Sequence, residues 1–522
     1  MHRAIMRIDF WNNPLVVSAF RVKYRRGGLF NFTAGYLLLL VVGGAVLYHY
    51  QDKIQPWSWP KAYLLGILAV QCFLSAIMAA STTAASLRSE VMNRTLDFQR
   101  LVAISPEEIL LGKLLGEAAV AFLLIIASFP LAAWCVAMGV AGVSLGTLLL
   151  IYLNIVSSTV LVSALGLLQP LEPPAGKAPG TPSGSAGIWG VVAVMFVVQT
   201  AVGAQVLLAK PWSAAIVGLV TPLPVFFGLG YDDPWRYCLN SFGLQIPFIL
   251  VTPISELMLA YLIFRVMVRR LINPLNPAFR KKLAYLTLVA VDVLAGAALF
   301  EPPAFGLSLV SRTAGFGLAH LLAGVWLTTA VTPWKESLQS WIWRFRGRVP
   351  RLQDLWLGER SENGLGVLTF AVIGLVDLVL LVLVPFGLEN GFDQLQRDFS
   401  LILSVAAAST LLLLTLGIMY QWCAALAGRN GKGIFGTMVL FLVVPAHITG
   451  YYYSLPILLA ITPSAHFASW FTGSPPPSLL PLVIVYAVGL YFIWLSLRRS
   501  INRTQHVVQQ KLELMGVSQA PA

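Results

Sequence analysis

Long apolar runs alternate with short polar links along the whole chain. A helix needs about 20 mostly apolar residues to cross a hydrocarbon core of about 30 Å. Runs of that kind fall near 29–50, 62–86, 114–138, 143–169, 188–209 and 241–268, then near 284–300, 314–333, 365–387, 399–427, 433–460 and 479–497. The pattern predicts an all-α, polytopic membrane protein with about twelve transmembrane helices. The run at 284–300 is the shortest of them.

Charge orients the runs. With the N-terminus inside, 29 of the 35 Lys and Arg residues lie in links on the inner side. The other six are Lys53, Lys61, Lys210, Arg236, Arg312 and Arg397. Such an asymmetry predicts that both termini lie in the cytoplasm. A plasma (inner) membrane is the expected location. The net charge of +13 is then mainly a topology signal. Anionic headgroups attract the same residues, so membrane lipids are expected partners. No nucleic-acid motif accompanies the basic residues, and no nucleic-acid partner is expected. Composition agrees: 57% of residues are hydrophobic and 11% charged, too little charge for a soluble protein of this length. The first 28 residues carry six basic side chains and no compact apolar core, unlike a cleavable signal peptide.

The two halves share an order of short matches. Arg269-Arg270-Leu271-Ile272-Asn273 ends the sixth run and Arg498-Arg499-Ser500-Ile501-Asn502 ends the twelfth. Thr221-Pro222 and Thr462-Pro463 each precede the last run of a half. Asn13-Pro14-Leu15 precedes the first run and Asn273-Pro274-Leu275 the seventh. The order fits two six-span units, 1–268 and a more divergent 269–522, related by an axis along the membrane normal. The Thr-Pro segments fit either short re-entrant pieces or helix ends stopped by proline.

One link is long and amphipathic. "RTLDFQRLVAISPEEILLGK", Arg94 to Lys113, separates the second and third runs on the inner side. Thr95 can cap a short helix, with Asp97 in its first turn. Phe98, Leu101 and Val102 form an apolar stripe at i, i+3 and i+4, while Leu96 lies off it. Ser105-Pro106-Glu107-Glu108 restarts a helix: a serine cap, proline at the first position, acids in the first turn. Such a helix–break–helix either lies on the membrane surface or fits a partner's groove.

The same stretch resembles the corresponding loop of ABC-2 type exporter permeases. Glu90, Thr95, Leu96, Asp97, Leu101, Pro106, Glu108, Ile109, Leu110, Gly112 and Lys113 match that pattern, and Arg94 replaces its usual glycine. "NPLVVSAFRVKYRR", with Asn13, Pro14, Arg21 and Arg25, resembles that family's entry helix, although Ala19 stands where an acid is common. The likeness covers about the first 130 residues well and weakens toward 268. In the second half, Glu336–Asn363 fills the matching link without the Thr-Leu-acid or Gly-Lys pattern. The resemblance implies a type V exporter fold, an entry helix along the inner membrane face, and a coupling loop at 90–113 that docks on a separate ABC ATPase subunit. Phe98, Leu101 and Val102 would be its apolar knobs, each worth about 1.5–3 kcal/mol when buried. Asp97, Arg100, Glu107 and Glu108 would set register. ATP and Mg would be held by that partner. Two assemblies fit: a homodimer, or one chain supplying both halves.

The chain has no GxxxxGK[ST] phosphate loop, so ATP chemistry is not expected in it. An ion gradient is the rival energy source and needs ionisable groups inside the membrane. Glu256, Asp292 and Asp377 fall within predicted spans, unpaired in sequence, where hydrogen-bonding glue between helices is the plainer role. A twelve-span secondary transporter and a membrane-embedded lipid or glycan enzyme are the rival readings. The six His are far apart and none lies in HExxH; no metal site is expected, although Asp232-Asp233 in "YDDPW" is a solvated turn that could take a cation. Cys72, Cys135, Cys238 and Cys423 stand singly, as packing residues do. Residues 169–186, rich in Pro, Gly and Ser, form a flexible inner linker. Nothing in the runs identifies a substrate.

Overall fold

A computed structural model describes residues 16–19, 21, 28–53, 58–93, 95–96, 104–140, 142–171, 221–241, 244–273, 277–299, 309–333, 335, 338, 341, 351–358, 361, 363–386, 392–427, 434–435 and 479–514. The chain divides into two compact units that change over at Pro274–Leu275, apart from two three-residue pieces.

The first unit contains α1 (Gly28–His49), α2 (Trp59–Met92), α3 (Pro106–Glu117), α4 (Ala119–Ala137), α5 (Leu145–Leu168), α6 (Leu223–Gly230), a two-stranded sheet of β1 (Cys238–Ser241) and β2 (Leu244–Pro247), and α7 (Phe248–Ile272). α5 packs against both α2 and α7, and α2 also packs against α4. Small residues set the α2–α5 crossing. A Cβ on Gly166 would lie 2.7 Å from the Ala80 carbonyl oxygen, so the two backbones approach closely. The Thr83 hydroxyl bonds across that crossing to the Ser163 carbonyl at 3.3 Å. α1 exposes Phe30, Leu38 and Leu39, as a lipid-facing helix does, and is tied to α2 by two polar contacts. Trp59 Nε1 donates to the Gly44 carbonyl at 3.1 Å and the Tyr63 hydroxyl to the Leu40 carbonyl at 3.0 Å.

At the N-terminal end of α2, the buried Lys61 binds the Asp232 carboxylate and the Gly230 carbonyl, each at 2.8 Å. Asp232 sits at φ 62°, and Gly142 lies directly against its carbonyl. Asp233 accepts from the Trp235 amide at 3.0 Å. The "YDDPW" turn is exposed at Tyr231, Asp232, Asp233 and Trp235, as a solvated turn is, and is tied to α2 through the buried Lys61. Thr221-Pro222 opens the short helix α6, with Pro222 as its cap residue; Thr462-Pro463 lies outside the described residues.

The second unit contains α8 (Lys281–Leu299), α9 (Leu309–Val331), α10 (Leu352–Leu357), α11 (Gly364–Leu378), α12 (Phe392–Ala427) and α13 (Leu479–Leu514). α11 continues through a π-helical turn, Val379–Leu383, to Phe386. α9 packs on α12 and α8, and α12 packs on α13. α10 is clamped to α8: Lys281 Nζ, itself buried, donates to the Leu355 carbonyl at 2.6 Å and to Ser361 Oγ at 2.9 Å.

Among the described residues, eight helices are long and apolar enough to cross a membrane. They correspond to predicted runs one to four, six and eight to ten. Runs 188–209 and 433–460 lie outside the described residues, save for residues 434 and 435. The other two are helical without joining the eight: 284–299 lies within α8, and 479–497 lies within α13, whose apolar stretch is Val483–Ser496. Among the described residues the chain is predominantly helical, with one two-stranded sheet and eight helices long and apolar enough to make it polytopic.

Candidate functional site

The link between α2 and α3 is built from its two flanks inward. α2 runs for 34 residues, about 51 Å at 1.5 Å per residue, so its last turns extend beyond a hydrocarbon core about 30 Å thick. Glu90 lies in those turns. Its Oε1 binds Lys113 Nζ at 2.5 Å, and the lysine is almost fully buried. Glu90 Oε2 is buried without a partner among the described residues. The ion pair closes the link into a loop whose ends cannot separate without stranding a charge.

α3 starts where its sequence says it should. Ser105 Oγ accepts from the Glu108 amide at 3.2 Å, and Glu108 Oε2 accepts from the Ser105 amide at 3.0 Å, a reciprocal capping box. Pro106 occupies the first turn, where its missing N–H costs nothing. Glu107 shares that turn, and both acids complement the helix dipole. Gly112 is buried beside Lys113.

Leu96, off the predicted stripe, has a clear place. It is buried in one cluster with Leu87, Ile109, Leu110, Leu114, Leu161 and Met267, which joins α2, α3, α5 and α7. Leu96 thus pins the middle of the link to the helical core. Thr95 is helical, and its hydroxyl donates back to the Glu90 carbonyl at 3.3 Å; the amides it would cap lie outside the described residues. Asp97, Phe98, Arg100, Leu101 and Val102 lie outside the described residues, as do Asn13, Pro14 and Arg25. Arg21 is helical and exposed. The structure therefore places Glu90, Leu96, Pro106, Glu108, Gly112 and Lys113 around one clamped loop.

The three intramembrane acids differ in setting. In the first unit, the fully buried Glu256 of α7 accepts from the Ser157 and Ser158 hydroxyls of α5, the latter at 2.6 Å. Asn154 extends this α5–α7 seam by donating to the Leu150 and Ile249 carbonyls at 2.8 and 2.9 Å. Gln71 of α2 is buried, and neither end of its amide has a partner among the described residues. In the second unit, Asp292 of α8 is not unpaired. Its carboxylate meets His320 Nδ1 at 2.8 Å, and His320 Nε2 meets the Phe370 carbonyl at 3.1 Å. Asp377 of α11 lies near both Asp292 and His320. Residues 28 and 85 positions apart from Asp292 are thereby gathered at one point. The sequence signal for His320 was a lone histidine inside an apolar run, which by itself names no partner.

Cys72, Cys135 and Cys423 are buried, and Cys238 is half-buried. No group of three or more His, Cys, Asp or Glu is placed to hold a metal ion among the described residues. No family model, no curated protein and no solved structure matches this chain. The ABC-2 resemblance therefore rests on the residues of the link and the entry segment alone.

Proposed function

We propose that this chain is the membrane-spanning permease subunit of an ATP-driven exporter of the ABC-2 type, with ATP hydrolysed on a separate subunit. One observation carries the reading: the link that matches the family's coupling loop is a clamped loop, with the Glu90–Lys113 pair at its base and the Ser105–Glu108 box opening the helix beyond. A loop fixed at both flanks can pass a rigid-body push to the helices it joins. α3 leads through Ala118 directly into the apolar α4, so a push on α3 reaches a candidate span without an intervening flexible segment. The test separates energy sources. Transport should follow hydrolysis by a co-purifying ATPase and persist when the proton and sodium gradients are collapsed. Loss of transport with an uncoupler at constant ATP sinks the reading.

The second reading is an ion-gradient transporter. The meeting of Asp292, His320 and Asp377 favours it, because ion coupling needs ionisable groups within the membrane. In that case Asp292→Asn or Asp377→Asn abolishes gradient-dependent transport, and no ATPase is needed.

The proposed topology has twelve spans in two six-span units, both termini in the cytoplasm, and the chain in the plasma (inner) membrane. Single cysteines at Gly27, Ser185 or Glu359 should resist a membrane-impermeant maleimide in intact cells. Cysteines at Arg236 or Asn390 should react. Asp232 is a poor reporter position, because its carboxylate holds Lys61. Native Cys238 gives little background. Burial, and then the neighbouring Asp233 carboxylate, push its thiol up from the ordinary value, so less thiolate is present at neutral pH. Its labelling should rise as pH is raised. Modification of Glu359→Cys from outside contradicts the twelve-span arrangement.

A further inference from the structure

We propose that α10 is a foot on the membrane surface that binds anionic phospholipid headgroups, with Leu352 and Trp356 set into the interface and Lys282 and Arg351 meeting the headgroup charge. The assignment stands whether ATP or a gradient drives the protein.

The position of α10 leads to it. Side-chain contacts fix this short helix against the first turns of α8 and α11. Lys281 Nζ donates to the Leu355 carbonyl, the Tyr285 hydroxyl donates to the Trp356 carbonyl at 3.1 Å, and Trp356 Nε1 donates to Thr369 Oγ1 at 2.9 Å. The Tyr285 and Trp356 rings lie 6.3 Å apart. Thr369 is in the second turn of a candidate span, Gly364–Phe386. Around and beyond it α11 exposes Leu368, Val372 and Leu375, and α8 exposes Leu286. One turn before Leu286, on the same face of α8, stands the exposed Lys282. The surface thus changes from basic to apolar within one turn, at the level of Tyr285 and Trp356. Headgroups give way to hydrocarbon in that manner, and Tyr and Trp rings collect at the boundary.

α10 carries a face that suits this boundary. Leu352 and Trp356 are one turn apart and both exposed, Leu352 at 74%. Large apolar side chains on a helix pinned at that level lie in the interface rather than in water. The charge agrees. Arg351, the cap residue of α10, is exposed, and Asp354 is the one acid in the helix. The sequence leading into Arg351 adds Arg344, Arg346 and Arg348, which lie outside the described residues, and no acid falls between Arg344 and Arg351. A basic cluster beside a span attracts anionic headgroups, and each such charge near the surface is worth about a fivefold change in binding. A protein partner's groove is the alternative occupant. Continuity favours lipid: the Trp356 ring bonds to Thr369, and Val372, one turn further on that face of α11, is itself exposed.

The test uses the purified full chain in vesicles of equal parts phosphatidylcholine and phosphatidylglycerol. Cys238→Ser removes the half-buried thiol, and a spin label is attached at Leu352→Cys or at Gln353→Cys. The Leu352→Cys label should relax with oxygen, which concentrates in lipid, and the Gln353→Cys label with a water-soluble nickel complex. Equal access of the nickel complex to both labels overturns the proposal. So does protection of the Leu352→Cys label that appears only when an ATPase is added, which would assign the face to a protein partner. Lipid retained through detergent extraction is then counted by mass spectrometry. Wild type should retain phosphatidylglycerol over phosphatidylcholine, and Lys282→Gln/Arg351→Gln should lower that preference at least about fivefold. Lys282→Arg/Arg351→Lys keeps the charge and should keep the preference, which decides the matter even if the Gln variant folds poorly. Equal preference in wild type and the Gln variant, or an equal loss in the charge-keeping variant, overturns the headgroup assignment.

Discussion

Glu90→Ala lowers the stability of the first unit by about 3 kcal/mol, the lower end of the range for breaking a buried ion pair. The lower end applies because Glu90 keeps some contact with solvent, while Lys113 has almost none. The loss comes mainly from the lysine. Its ammonium is left almost fully buried without the carboxylate that balanced it. The double change Glu90→Leu/Lys113→Met removes both charges and should recover most of the loss, because well-packed apolar replacements of a buried pair are often neutral. Thermal unfolding of the purified variants measures both. A single variant as stable as wild type would show that the pair does not hold the link. A double variant as damaged as the single would show that the cost is packing and not charge.

Phe98→Asp/Leu101→Asp should abolish co-purification of an ATPase while leaving the chain inserted. The sequence puts both residues on the apolar stripe of the link. Charges carried into a partner's groove are desolvated without a counter-charge, at a cost of roughly several kcal/mol for a fully buried site. That exceeds what two or three apolar knobs at about 1.5–3 kcal/mol each leave in reserve for a joint. Leu96 pins the link to the core independently and is not altered, so the fold of the unit should persist. The control is Trp341→Asp/Trp343→Asp in the matching link of the second half. If only the first-half variant loses the ATPase, the docking loop is Glu90–Lys113. If both lose it, one chain carries two docking loops. If the first-half variant keeps it, the coupling reading fails, and a link resting on the lipid surface is the better description.

Hydrophobic period was enough to locate eight apolar helices, because run length and composition decide whether a helix can cross a membrane. The start of α3 was equally plain: Ser105, Pro106 and Glu108 act within one turn, so the local sequence holds all the partners the capping box needs. The other links were less legible. The Thr95 hydroxyl donates back to the Glu90 carbonyl, a contact the cap pattern does not name. Leu96 looked misplaced because a helical stripe describes one face, whereas the residue packs on helices that arrive from elsewhere in the chain.

The sequence by itself determined that this is a helical, membrane-type chain, where most of its apolar helices lie, and which link carries a family-like pattern. Each of those properties is local in the chain, set by run length, spacing and cap chemistry. Only the tertiary structure decided the pairings: Glu90 with Lys113, Lys61 with Asp232, and Asp292 with His320. These partners are 23 to 171 positions apart. A buried polar group must find a complement, but an apolar run cannot say which neighbouring helix supplies it. That choice follows from the close approach of helices at small residues such as Gly166 and Gly374, where the absence of a Cβ lets one particular side chain or backbone in.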